Sequence, residues 1–240
     1  MSTTSAVERN KRILVCPDTH FPNEHPDTIK FLAALKEKYK PTRVIHLGDE
    51  INAGAISFHE VDPDLPSPGA EFKLAIEKLR PLYRLFPEVD LMESNHGSLV
   101  YRKGKAAGLP SIVFRPYGEI LDAPKGWKWH RDLTLKLPNG QYVMFFHGKG
   151  SNALNQSKLI GMSTVNGHFH TQFSINKWST HLGTNWAMVC GCLIDTKSKA
   201  FAYDSNNLLR PVLGAGLILN SQPQLVLMQR DGRGRWTGRL

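Results

Sequence analysis

RILVCPDTH, residues 12–20, decides the reading of this chain. Its first five residues are too few for a helix and fit a short buried strand. An Asp and a His follow within four residues of the strand's end. The same design recurs at RVIHLGD, residues 43–49, and at VDLMESNH, residues 89–96. Helical patterns lie between these runs, over residues 26–39 and 70–80. Pro26 suits a first helical turn, and Pro81 is expected to end or kink the second helix. A further helix is expected over residues 98–107. Strands alternating with helices argue for βαβ units and a sheet with parallel strands.

The second half changes character. Residues 133–137 and 141–146 flank Pro138-Asn139-Gly140, and Asn-Gly is a strong hairpin signal. After a short helical stretch over 152–160, the rest reads as short strands: around Val165, then 172–175, 186–194, 200–203, 212–219 and 224–228. One half βαβ and one half mostly β predicts two sheets packed face to face with helices outside. The last two strands are expected either as an outer hairpin or as a contact with another subunit. Residues 12–229 are read as a single domain, with residues 1–11 as a flexible N-terminus and 230–240 as a basic, solvated tail.

The ionisable residues fall where the strands end. Asp18 and His20 follow the first, Asp49 the second, and Asn95 and His96 the third. His147 ends the hairpin, and His168 and His170 follow residues 164–166. In open α/β sheets that edge is where ligands bind. Residues i and i+2 of an extended segment point to one side, so Asp18 and His20 can converge on one ion, as can His168 and His170. A carboxylate such as Asp49 can bridge two ions. Mixed imidazole, carboxylate and amide ligands suit manganese, iron or zinc better than calcium or magnesium.

The order D-x-H, G-D, N-H, H, G-H-x-H, here Asp18-Thr19-His20, Gly48-Asp49, Asn95-His96, His147 and Gly167-His168-Phe169-His170, resembles the calcineurin-like metallophosphoesterases across residues 12–172. The resemblance implies an α/β (α+β) four-layer sandwich, with two mixed β-sheets flanked by helices. It also implies two divalent metal ions, manganese first, with iron, zinc or nickel as alternatives. Asp18, His20 and His170 would hold one metal, and Asn95, His147 and His168 the other. Asp49 would bridge them together with a hydroxide that attacks phosphorus, and His96 would protonate the leaving oxygen. The third block departs from the usual Gly-Asn-His followed by an acid, reading Ser94-Asn95-His96-Gly97. That leaves Glu50 or another carboxylate to substitute. The second block lacks the arginine of the protein serine/threonine phosphatases, which argues against a phosphoprotein substrate. A small basic chain with a Ser-Asn-His-Gly block is also similar to members encoded by bacteriophages.

The formal net charge of +9 points towards an anionic partner. Arg102, Lys103 and Lys105 lie just beyond the third block and are the candidate substrate-binding residues. Trp127 and Trp129, beside Lys125, Lys128 and Arg131, could stack bases or simply anchor an outer strand. The expected activity is hydrolysis of a phosphodiester of nucleic acid, DNA or RNA, or of a nucleotide. The alternatives are a phosphomonoesterase acting on a phosphoprotein or small metabolite, and a catalytically silent metal-binding scaffold. No apolar run approaches the ~20 residues that span a bilayer, so no membrane partner is expected. The N-terminus lacks the apolar core of a secretory signal, and Cys16, Cys190 and Cys192 make no disulfide framework. Both point to the cytoplasm, with the cysteines buried. His25, His46, His59, His130 and His181 are expected in structural or surface roles, and Asp195 and Asp204 in turns.

Overall fold

Alternation along the first strand sorts the molecule into layers. The computed structural model describes residues 9–58, 63–150, 152–198 and 208–240, and in it RILVC forms β1 (Arg12–Cys16). Successive side chains of a strand take opposite faces. Ile13 and Val15 therefore enter the apolar layer between the sheets, while Leu14 and Cys16 pack under helices. Parallel to β1 run β2 (Arg43–His46), β3 (Val89–Met92) and β4 (Trp127–His130). On the other side β10 (Gly214–Leu219) pairs antiparallel with β1, and β11 (Gln222–Leu227) closes that edge. The turn between β10 and β11 places Asn220 and Ser221 at positive φ (48° and 69°), as a type I′ hairpin turn demands. These two strands form a hairpin within the chain.

The second sheet has the order β5 (Leu133–Lys136), β6 (Tyr142–Phe146), β7 (Ser163–Asn166), β9 (Gly183–Cys190), β8 (Phe173–Thr180). β6, β7 and β9 run parallel and the edge strands antiparallel, so both sheets are mixed. Val143, Phe145, Val165 and Met188 meet Ile13, Val15 and Ile45 between the sheets. The outer face of the first sheet is covered by α1 (Thr28–Tyr39) and α2 (Pro68–Leu85), through Phe31, Leu32, Leu35, Leu79 and Leu82. Each of these buried side chains contributes roughly 1.5–3 kcal/mol. On the far side α5 (Ala153–Ile160) sets Ala153 against Phe169 and Val189. Helix, sheet, sheet, helix is the expected four-layer order. Shorter helices α3 (Leu99–Ala106) and α4 (Tyr117–Ile120) follow β3.

Two expectations are corrected. α2 continues through Pro81 to Leu85, because Leu82 and Tyr83 are buried beyond it and Tyr83 Oη donates to the Leu121 carbonyl at 3.0 Å. That anchoring offsets the roughly 3 kcal/mol of an internal proline. Residues 191–194, expected to continue β9, leave the strand and cross to the first sheet, where Cys192 bridges to Asp18 and Leu213. The C-terminal residues are mostly exposed but dock at the start of α1. Arg235 forms a two-pronged pair with Asp27 at the start of α1, Trp236 packs edge-on against Phe31 at 5.6 Å, and the Trp236 amide also donates to Asp27. The strand expected over 200–203 lies outside the described residues.

The Asp27–Arg235 pair predicts a pH signature. Arg235 holds the Asp27 carboxyl down from 3.8 to about 2, against the opposing effect of burial. A depressed acid stabilises the fold above its unfolded pKa and loses that contribution as pH falls through its folded one. Arg235→Ala should therefore lower the urea midpoint at pH 6, and the difference from the parent should shrink between pH ~4 and ~2. An unchanged midpoint at pH 6 would show that the docked terminus adds nothing to stability.

Candidate metal centre

Parallel pairing within each sheet aligns the ends of β1, β2 and β3 in one and of β6 and β7 in the other, and the side chains following those ends meet. Asp18 and His170, 152 residues apart in sequence, lie 3.1 Å apart (Oδ2 to Nε2). His20 Nε2 is 3.2 Å from His170 Nε2 and 3.4 Å from Asp49 Oδ2. On the other side of Asp49, His147 Nε2 stands 3.3 Å from the same Oδ2. Asn95 Oδ1 sits between His147 Nε2 (2.6 Å) and His168 Nδ1 (3.2 Å). Two ligand groups result: Asp18, His20, Asp49 and His170, and Asp49, His147 and His168, with the atoms of each within 4.8 Å of one another. Asp49 belongs to both.

The backbone is bent to achieve this. His20, Asp49 and His168 all have positive φ (50°, 49° and 70°), a conformation that costs non-glycine residues about 1–3 kcal/mol each and gathers at functional sites. Two glycines give the clearance. A Cβ on Gly48, whose φ is +97°, would stand 2.6 Å from Ser94 Cβ, and one on Gly167 would stand 2.5 Å from Asp18 Oδ1.

Hydrogen bonds from behind set the ring orientations. His147 Nδ1 donates to the Leu47 carbonyl at 2.9 Å, which turns Nε2 towards the cluster. His20 Nδ1 does the same through Asn52 Oδ1 at 3.2 Å, and Asn52 is fixed in turn by donating to Glu71 Oε1 at 2.9 Å. Glu71 also accepts from the amides of Gly54 and Ala55. Imidazoles whose second nitrogen is tied to a carbonyl or amide are oriented as metal ligands are. Asp18 Oδ1, buried with no hydrogen-bond partner among the described residues, is a further acceptor awaiting a cation. The residues present thus fit divalent metal. Asn52→Leu, which keeps the Asn52 carbonyl but frees His20, should weaken metal affinity by about 10–100-fold in a calorimetric titration. Unchanged affinity would mean that His20 needs no such support.

The electrostatics agree. Burial alone would raise Asp18 and Asp49, yet the His147 imidazole, helped by His170 at Asp18 and by His96 at Asp49, holds both below the usual carboxylate range. Burial likewise opposes the charge on His147, but Asp49 and Asp18 push it up to about 10. Burial and the neighbouring His96 bring His20 down to about 4, so it stays neutral at pH 7. Two buried carboxylates thus demand positive charge, which metal ions would supply in place of the His147 proton.

His96 lies at the rim, its ring edge-on to His20 at 4.6 Å. Its amide donates to Asp49 Oδ1 at 3.1 Å, and its Nδ1 donates to the Asn52 carbonyl. That carbonyl, rather than Glu50, meets the His96 ring where the acid after the histidine is missing. Ser94 Oγ accepts from the amides of Asp49 (2.9 Å) and Gly97 (3.1 Å), tying the second block to the third.

The sequence-based substrate residues are less well gathered. Arg102 reaches the Asn95 carbonyl at 3.4 Å, but Arg102 and Lys103 both stand over the Phe58 ring, at 5.2 and 4.1 Å. Lys105 points to solvent. Trp127 is buried and donates to the Phe86 carbonyl at 2.8 Å, so it anchors strand β4 and presents no stacking face. His46 is buried between Thr19 and the Gly48 amide, His25 meets the Gly234 carbonyl, and His130 pairs with Asp90. His181 is exposed, and Asp195 caps a turn at Lys197. The three cysteines are free and buried. His59 and Asp204 lie outside the described residues. Asn52, Glu71 and Ser94 were not anticipated. Asn52 follows Asp49 closely enough to have been suspected, whereas nothing local marks Glu71.

No family model matches the chain, and no curated protein matches it. Among solved structures it is similar to Yfce, a phosphoesterase from E. coli, at 12% identity and a TM-score of 0.48, over 94% of this chain and 96% of that one. It is also similar to Vps29 from Chaetomium thermophilum, at 11% identity and a TM-score of 0.46, over 94% of this chain and 90% of that one.

Proposed function

We propose that this chain is a metal-dependent phosphoesterase that hydrolyses a phosphodiester of nucleic acid or of a nucleotide. What supports the reading most is the sharing of Asp49 between two clusters of metal-binding type, since a carboxylate common to two sites is what a pair of ions needs. Asp18, His20 and His170 would hold one ion and Asn95, His147 and His168 the other, with manganese the first choice for this donor set. Two such ions, when bound, polarise the phosphoryl oxygens and supply a nucleophile at neutral pH.

The remaining work falls to the chain. Leu47, Asn52 and Glu71 fix the imidazoles so that no reorientation is needed on binding. His96, anchored through Nδ1, has Nε2 left to carry a proton to the departing oxygen. Arg102, held at the Asn95 carbonyl, is placed to meet the charge of a substrate arriving at that side of the centre.

The test is hydrolysis of bis(p-nitrophenyl) phosphate and of p-nitrophenyl phosphate by metal-stripped protein, with and without added Mn. Mn-dependent cleavage with preference for the diester is the expected result. Preference for the monoester would replace this reading with that of a phosphomonoesterase, and two bound ions without turnover of either would replace it with that of a scaffold.

A further inference from the structure

Beside the third block lies a cavity of about 370 Å³, within the range of small-molecule sites. Its walls are aromatic, drawn from Tyr101, Phe114, Tyr117 and Trp129, and Arg115 also lines it. Tyr117 and Trp129 meet edge-on at 5.8 Å. Ser94 and Gly97, which bracket Asn95 and His96, belong to the same lining, so the cavity adjoins the metal centre.

Its polar groups are unusual. Glu50 is 0% exposed, and neither of its carboxyl oxygens closes a hydrogen bond of full geometry among the described residues. The same is true of Tyr117 Oη and Trp129 Nε1. Tyr117 Oη faces the Glu50 carboxyl and interacts with it as a hydrogen-bond donor, which leaves the rest of that carboxyl's accepting capacity open. Buried polar atoms are nearly always partnered, and a buried carboxyl with only Tyr117 beside it, together with an unpartnered Trp129 N–H on the same apolar cavity, marks a place where a ligand supplies partners. A Cβ on Gly97 would stand 3.3 Å from Tyr117 Oη and 3.5 Å from Glu50 Oε1. A side chain there would press on Ser94 Oγ and Tyr117 Oη and meet Glu50 only at ordinary contact, so the departure from the usual third block leaves more room on this side.

We propose that the cavity is a nucleobase pocket that takes a guanine-type ring. The aromatic walls hold the flat heterocycle. The two Glu50 oxygens accept from its adjacent N–H donors, and the Trp129 indole N–H donates to its carbonyl. Adenine presents a different donor and acceptor pattern and leaves those groups unmatched. The pocket itself is independent of the metals. That the base belongs to the substrate rests on the phosphoesterase reading, because a base held here leaves its phosphate beside His96.

The experiment is binding of guanosine, adenosine and cytidine, none of which carries a phosphate, to the metal-free full chain by calorimetry. Guanosine is expected to bind at least about tenfold more tightly than the other two, and Glu50→Gln to lose about tenfold or more of that preference. Trp129→Phe, which keeps an aromatic but smaller ring and removes the N–H donor, should weaken guanosine more than adenosine. Equal binding of guanosine and adenosine, or a guanosine affinity that neither variant alters, overturns the pocket. Mn-dependent cleavage of the base-free diester by the parent protein separates the two ideas. Cleavage without guanosine preference removes the pocket alone, whereas guanosine preference without cleavage keeps the pocket and removes the esterase.

Discussion

Asp49→Asn is expected to abolish paired metal binding and to lower diester hydrolysis by at least about 10³-fold. Asp49 Oδ2 lies 3.4 Å from His20 Nε2 and 3.3 Å from His147 Nε2, while Oδ1 accepts the His96 amide. Both oxygens are committed, each towards a different part of the centre. Asparagine keeps the size but presents one oxygen and one N–H₂. Either the amide nitrogen faces the metal positions, where it cannot ligate an ion, or it faces the His96 N–H and sets donor against donor. Loss of a bridging charge removes several kcal/mol of transition-state stabilisation, and each 1.36 kcal/mol is tenfold in rate. Metal analysis of the purified variant beside a far-UV spectrum checks this. A folded variant that keeps its full metal complement and its rate would show that Asp49 does not bridge.

His96→Ala should instead keep the metals and lose turnover, by about 10²–10⁴-fold. His96 supplies no atom to either ligand group, so its removal should leave metal content alone. A general acid matters most when the leaving group is poor. The defect should therefore be large for an alkyl or nucleoside ester and smaller for p-nitrophenyl esters, whose leaving oxygen needs little help. An equal defect for both would argue that His96 positions phosphate rather than donating a proton. A variant that matched its parent would mean that His96 has no part in the reaction.

The sequence carries much of this site and little of its surroundings, for physical reasons. Asp18, Asp49, Asn95 and His147 are legible because each follows a short, largely apolar run that reads as a strand, and His168 is legible through its i, i+2 spacing to His170. The outer edge of the first sheet is not, since the pairing of β4 with β3 is a long-range event with no local turn to announce it. Pro81 is expected from the sequence to end or kink its helix, and the alternative of an end is overridden by burial of Leu82 and Tyr83 beyond it. Glu71 reads as an ordinary acid in the first turn of a helix, and only the tertiary structure brings it to Asn52. Trp127 and Trp129 look alike in sequence and share one face of β4, yet Trp127 is buried against Tyr83 while Trp129, two residues on, reaches the cavity. Arg235 reads as one arginine in a basic tail, and its partner Asp27 lies 208 residues earlier.

The most direct measurement is the electron paramagnetic resonance spectrum of the protein loaded with Mn and freed of excess ion. Two ions sharing Asp49 would stand about 3.5–4 Å apart. Such a pair couples its spins, so the account predicts two Mn per chain and an exchange-coupled spectrum that Asp49→Asn abolishes. A spectrum of isolated Mn, or binding of a single ion per chain, would contradict the claim that the five strand ends build one two-metal centre.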